Sequence, residues 1–274
     1  MIKSTDGTPM QIKKIRLISF SPTRTSKKVI DAIASAMADI PCETNDLTYP
    51  DAVSELHVGA DELAIIGVPV YGGRVAPLAV QRLAALQGSK GPAVIVVTYG
   101  NRDFEDALIE LRDIAVKANF LPLAAGTFIG EHSYSGAEMP IAADRPDNAD
   151  LATATTFGSQ ILEKLLALQD WPGADSLKVP GNIPYKAAAG KMPFTPLVLQ
   201  SVCTECGACL PACPTGAISL ASGIQIDQNL CIFCCACLKT CPEDALQIAA
   251  EPIKQKVQWL HENCAERKEP GLYL

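Results

Sequence analysis

Nine of the chain's 11 cysteines lie between Cys203 and Cys241, and they lie there as a repeat. Cys203, Cys206, Cys209, Cys213 and Pro214 recur as Cys231, Cys234, Cys237, Cys241 and Pro242, each displaced by 28 residues. Ala217-Ile218 recurs as Ala245-Leu246 under the same displacement. A disulfide framework would spread its cysteines over a short secreted chain, and an odd total leaves at least one thiol unpaired. Crowding of this kind indicates metal, held by a small duplicated module over residues 200–250.

The chain ahead of that module has a different rhythm. Ile15–Phe20, Cys42–Leu47, Leu63–Val68, Ala93–Thr98 and Leu121–Ile129 read as five strands, and several are apolar throughout, as strands buried on both faces must be. Amphipathic segments at 25–38, 76–86, 103–118 and 148–168 read as the helices between and after them. The expectation is a doubly wound α/β domain with a five-stranded parallel sheet over residues 1–170. Prolines at 172, 180, 184, 193 and 196 then predict an extended Pro/Gly-rich linker over 171–199. A closing helix and tail are expected over 251–274.

Each half of the cysteine repeat reads C-x2-C-x2-C-x3-C-P. Three thiols spaced two residues apart on a tight loop converge on three corners of an iron–sulfur cube. Structural zinc usually takes two separated C-x2-C pairs instead. Residues 200–250 resemble the two-cluster ferredoxins of bacterial type, which implies a small α+β domain with two 4Fe–4S clusters. In that family the fourth cysteine ligates the other cluster. The resemblance therefore implies Cys203, Cys206, Cys209 and Cys241 around one cluster, and Cys231, Cys234, Cys237 and Cys213 around the second. Gly207, Ala208 and Ala236 leave room for the clusters. Cys235 breaks the spacing and is read as a small buried residue, and Cys42 and Cys264 as structural.

Ligands of an open parallel sheet bind beyond the carboxyl ends of its strands, where the strand order reverses. The first strand runs into Ser21-Pro-Thr-Arg-Thr-Ser26 and a helix, a set of hydroxyls and N–H groups suited to a phosphate. This half resembles flavodoxins, whose corresponding loop holds the phosphate of FMN. The resemblance implies phosphate contacts from Ser21, Thr23, Thr25 and Ser26. Arg24 stands where the family has glycine and offers the phosphate a charge-assisted contact. It also implies ring contacts from Pro69, Val70, Tyr71, Gly72 and Gly73, and from Thr98, Tyr99, Gly100 and Asn101. Tyr71 and Tyr99 are the stacking candidates. Gly130–Ser133 completes the pocket, with His132 read as a surface residue in preference to a proton donor. No dinucleotide G-x-G-x-x-G follows any strand.

A formal charge of −7 disfavours nucleic acid and anionic membranes as partners. No apolar run reaches the ~20 residues of a membrane span, and Met1–Thr8 lacks an apolar leader, so a cytoplasmic protein is expected. The whole resembles fused flavodoxin–ferredoxin electron carriers of anaerobic microbes. That implies an electron-transfer protein with FMN, two 4Fe–4S clusters and an external redox partner. A flavin-dependent reductase of a small organic acceptor and a scaffold without cofactor are the alternatives, and no catalytic residue is assigned.

Overall fold

The computed structural model describes residues 11–49, 55–174 and 176–274. The opening segment discussed above lies outside them. Five strands form the parallel sheet: β1 (Lys14–Ser19), β2 (Cys42–Asp46), β3 (Glu62–Tyr71), β4 (Pro92–Tyr99) and β5 (Leu121–Ile129). Their order across the sheet is 2-1-3-4-5, the flavodoxin-like arrangement, with parallel register throughout. β4 is buried along its whole length, because helices cover both of its faces. On one face, α1 (Thr25–Ser35) and α4 (Asn148–Ala167) bury Val29, Ile30, Ile33, Phe157 and Ile161 against Leu17, Ile65 and Val94. On the other, α2 (Pro77–Leu83) and α3 (Ala107–Lys117) cover Ile18, Ile66 and Ile95.

The duplicated module follows. Its two short sheets are β6 (Leu197–Val198) with β9 (Leu246–Gln247), and the hairpin β7 (Ile218–Ala221) and β8 (Gly223–Ile226). Two short helices, α5 (Cys209–Ala212) and α6 (Ala236–Thr240), start at the third cysteine of one run and just before it in the other. Ile218, Ile224 and Leu246 fill the centre together with the cysteines themselves. A module of this size has little else to bury, and so depends on metal for its core.

Two features differ from the sequence expectation. The closing helix α7 (Glu251–Asn263) is present, but the tail beyond it does not end free: β10 (Gly271–Tyr273) pairs antiparallel with β5 and adds an edge strand to the parallel sheet. Residues 171–199, expected as an extended linker, do lack regular structure over most of their length, yet they lie fastened to the α/β domain. Asp106 accepts the backbone N–H groups of Asn182 and Lys186 at 2.8 and 2.7 Å. The Tyr185 hydroxyl donates to Asp113, Arg74 lies over the Tyr185 ring, and Leu177 enters the core. The linker is a strap along α3. Among the described residues no helix is long and apolar enough to cross a membrane.

Candidate cofactor sites

β1 has β2 on one side and β3 on the other, so the chain direction across the sheet reverses there and a cleft opens at the carboxyl ends. A cavity of about 430 Å³ occupies it, within the range that holds a small cofactor. Its floor is built by Ser21, Thr23 and Thr25 after β1, Pro69–Gly72 at the end of β3, and Thr98–Gly100 at the end of β4.

At the phosphate end, the Ser21 Oγ accepts the Lys27 N–H at 3.2 Å, and no side chain caps α1. Of the first-turn N–H groups of this 11-residue helix, that of Lys27 is thus already held by Ser21, and those of Thr25 and Ser26 remain for a ligand at this helix end. Thr98 Oγ1, at the cavity wall, is buried and unpartnered. Gly130 lies so close to Thr25 and Thr98 that a Cβ there would come within 2.9 Å of both. This donor set fits a phosphate with a flat ring system beside it.

Four of the residues assigned to this cavity by sequence stand elsewhere. Arg24 adopts a left-handed backbone with φ 65°, the conformation that glycine takes without strain. Its guanidinium turns outward, donating to Asp46 at 2.7 Å and to the Tyr49 hydroxyl at 2.8 Å, and is therefore already satisfied away from the cleft. Ser26 is fully buried and does not line the cavity. Gly73 faces the Glu105 carboxylate, with no room for a Cβ. Asn101 turns its amide N–H to the carbonyls of Cys264 and Glu266, both at 2.7 Å, and so fastens the C-terminal segment.

His132, expected at the surface, is a cavity wall. Its Nδ1 accepts the Tyr134 N–H at 3.0 Å, and its ring meets the Tyr134 ring edge-on at 4.8 Å. Burial, reinforced by Lys256, Lys239 and Arg102, lowers its pKa to about 4. Tyr99 is engaged edge-on with Phe104 at 5.6 Å, and burial raises its phenol to about 12. Tyr71 is raised still more strongly by burial, with Cys234 and Cys235 as near neighbours.

The cavity also has walls that sequence reasoning did not name. Ala188–Met192 of the strap, Ile232 and Phe233 of the cysteine module, and Lys256 of α7 complete it. Ile232 and Phe233 lie between two cysteines, so their only sequence signal was their apolar character.

The cysteines group across the halves of the repeat. Cys209 has Cys203, Cys241 and Cys206 as its neighbours, whereas Cys231, Cys234 and Cys237 each have Cys213, and Cys237 also has Cys209. Burial pushes the Cys234 thiol up to about 12 and Cys237 up as well, which a bound metal would reverse by taking the proton's place. Ala217 and Ala245, related by the repeat, donate their N–H groups to the sulfurs of Cys213 and Cys241 at 3.3 Å. Backbone donors of this kind suit a sulfur-rich cluster. Cys206 is exposed, while Cys234 and Cys237 are buried. Cys235 is buried beside them, as expected.

The chain matches a family model, the 4Fe-4S binding domain, over residues 196–219 and again over 224–247. It therefore carries two 4Fe–4S cluster sites. No curated relative matches the sequence. Among solved structures, flavodoxin 1 from Bacillus cereus aligns at 12% identity with a TM-score of 0.39, over 55% of this chain and 97% of that one. A Fusobacterium nucleatum flavodoxin bound to flavin mononucleotide aligns at 14% identity with a TM-score of 0.37, over 57% and 96%. A flavo di-iron protein from Thermotoga maritima aligns at 15% identity with a TM-score of 0.36, over 58% of this chain and 37% of that one. The chain joins a flavodoxin-like fold, identified here by its strand order, to a ferredoxin-type module.

Proposed function

We propose that the chain is an electron-transfer flavo-iron–sulfur protein that passes electrons between FMN, two 4Fe–4S clusters and an external redox partner. One observation carries this: the cleft at the switch point and the second cysteine loop share a wall, Ile232 and Phe233. We assign Cys203, Cys206, Cys209 and Cys241 to one cluster, and Cys231, Cys234, Cys237 and Cys213 to the second. The functional units are residues 1–170 and 200–250, with 171–199 and 251–274 fastening them together.

Thr23, Thr25 and the N–H groups of Thr25 and Ser26 would hold the phosphate, and Tyr71, in the cavity wall near Cys234 and Cys235, would contact the ring. Ile232 and Phe233 exclude water from that side. His132 is neutral at pH 7, and because its Nδ1 accepts a hydrogen bond, its proton is held on Nε2. Bound FMN would supply exchange of electrons singly or in pairs, whereas each cluster exchanges one. The outer cluster, beside exposed Cys206 and Val202, is where a partner protein is met.

Anaerobic purification with iron, sulfide and flavin analysis of one sample tests the reading. It predicts roughly eight irons and one FMN per chain. Zinc in place of iron, or no acid-labile sulfide, would overturn it. The crossed ligand sets predict that Cys213→Ala disturbs the paramagnetic signal of the second cluster. A loss confined to the first would refute them.

A further inference from the structure

The two halves of the repeat place the same loop in different surroundings. In the first half, Glu205 and Gly207 take left-handed backbone conformations, with φ 55° and 74°. In the second, Phe233 and Cys235 occupy the equivalent positions with φ 53° and 59°. That conformation strains a bulky side chain, and it persists only where the surroundings impose it. In both halves what imposes it is the loop that wraps three cysteines around one centre. Glu205 is exposed, whereas Phe233 is only 3% exposed and forms part of the flavin cavity.

We propose that Phe233 is a positioning residue that couples the second iron–sulfur site to the flavin cavity, so that flavin is held tightly only while that cluster is in place. The inference rests on the FMN reading above. Cys231 and Cys234 pin both ends of the Ile232-Phe233 dipeptide. The Phe233 N–H donates to the Cys231 sulfur at 3.4 Å. Its ring meets Tyr134 edge-on at 5.7 Å, and Tyr134 in turn meets His132 at 4.8 Å. His132 is seated against Gly100, where a Cβ would come within 2.3 Å of the imidazole. A continuous run of packed rings thus leads from the cluster loop to the cavity wall. Without the cluster, the loop that imposes the strained conformation loses its centre, and only the ring's packing against Tyr134 and its apolar neighbours opposes its leaving the wall. Binding linkage makes the effect reciprocal: FMN retains the cluster as the cluster retains FMN.

The test uses the whole chain, prepared anaerobically, with FMN affinity read from quenching of flavin fluorescence. Removing iron with a chelator should weaken FMN binding by roughly tenfold or more in the unsubstituted protein. Phe233→Ala should weaken it comparably while iron and sulfide stay at the unsubstituted level, and chelation should then cost little further. Glu205→Ala, the repeat equivalent, should leave FMN affinity unchanged. Saturating FMN should slow iron release from the unsubstituted protein but not from Phe233→Ala. Unchanged affinity in iron-replete Phe233→Ala, or an equal fall in Glu205→Ala, would overturn the coupling. If the iron-replete unsubstituted chain binds no FMN, the FMN reading itself fails and the coupling with it.

Discussion

Arg24 shows how one residue can carry two contradictory signals. By charge it belongs to a phosphate, and by position it replaces a glycine. The structure resolves the conflict: its backbone does what glycine would do, while Asp46 and Tyr49 hold its guanidinium away from the cleft. Arg24→Gly removes a half-exposed ion pair worth roughly 0–1 kcal/mol and relieves about 1 kcal/mol of left-handed strain. FMN affinity should therefore change by less than about threefold in a fluorescence titration; a tenfold loss would place the guanidinium on the phosphate. His132 makes a second prediction. Its folded pKa of about 4 lies below the ordinary 6.5, so the unfolded chain takes up its proton first as pH falls. The stability it contributes is present above pH 6.5 and lost as pH drops towards 4. The fall in melting temperature between pH 7 and pH 5 should be smaller in His132→Gln than in the unsubstituted protein. Equal falls would show that another group is responsible.

At the scale of elements, the sheet was legible in the sequence because buried parallel strands are apolar without interruption, as Ala93–Thr98 is. The helices showed in the spacing of Val29, Ile30 and Ile33. β10 was not legible: three residues, Gly271–Tyr273, carry no period, and their pairing depends on the distant Thr127. The prolines of 171–199 made an irregular segment legible, and Tyr185 offered an aromatic that could dock; what the sequence did not show is the carboxylate of Asp106 across the surface, to which the strap is fastened. The cluster sites were the most legible part, since the cysteines fall in two short runs. The cavity at the switch point was legible on the α/β side alone; its remaining walls follow from how the modules meet. Close helix contact gives a further test. A Cβ on Gly158 of α4 would lie 2.1 Å from the Ile33 carbonyl oxygen of α1. Neither backbone has room to yield, so Gly158→Ala should destabilise the fold by about 2 kcal/mol, read from denaturant midpoints. No change would mean that the two helices are not in contact at this point.

Across the whole molecule, the modules are joined by more than their strap. Arg82, over the Phe20 ring, donates to the Pro214 carbonyl at 2.5 Å, next to the fourth cysteine of the first run. Lys239 bonds Glu131 at 2.6 Å and the Ser135 carbonyl at 2.7 Å. Arg267 reaches Asp147 at 2.6 Å, and Arg145 joins the buried Asp150 to the Lys268 carbonyl. Separately these contacts are modest, but together with β10 they fix the second cysteine set beside the cavity. That fixed proximity is the central claim, and electron transfer tests it directly. The clusters would be reduced anaerobically by an external low-potential donor in a rapid-mixing experiment, and the bound flavin followed by its absorbance over a tenfold range of protein concentration. Transfer within one molecule predicts a flavin reduction rate constant that does not change with concentration. A rate that rises in proportion to concentration would mean that electrons pass between molecules, and that the shared wall of Ile232 and Phe233 is not their route.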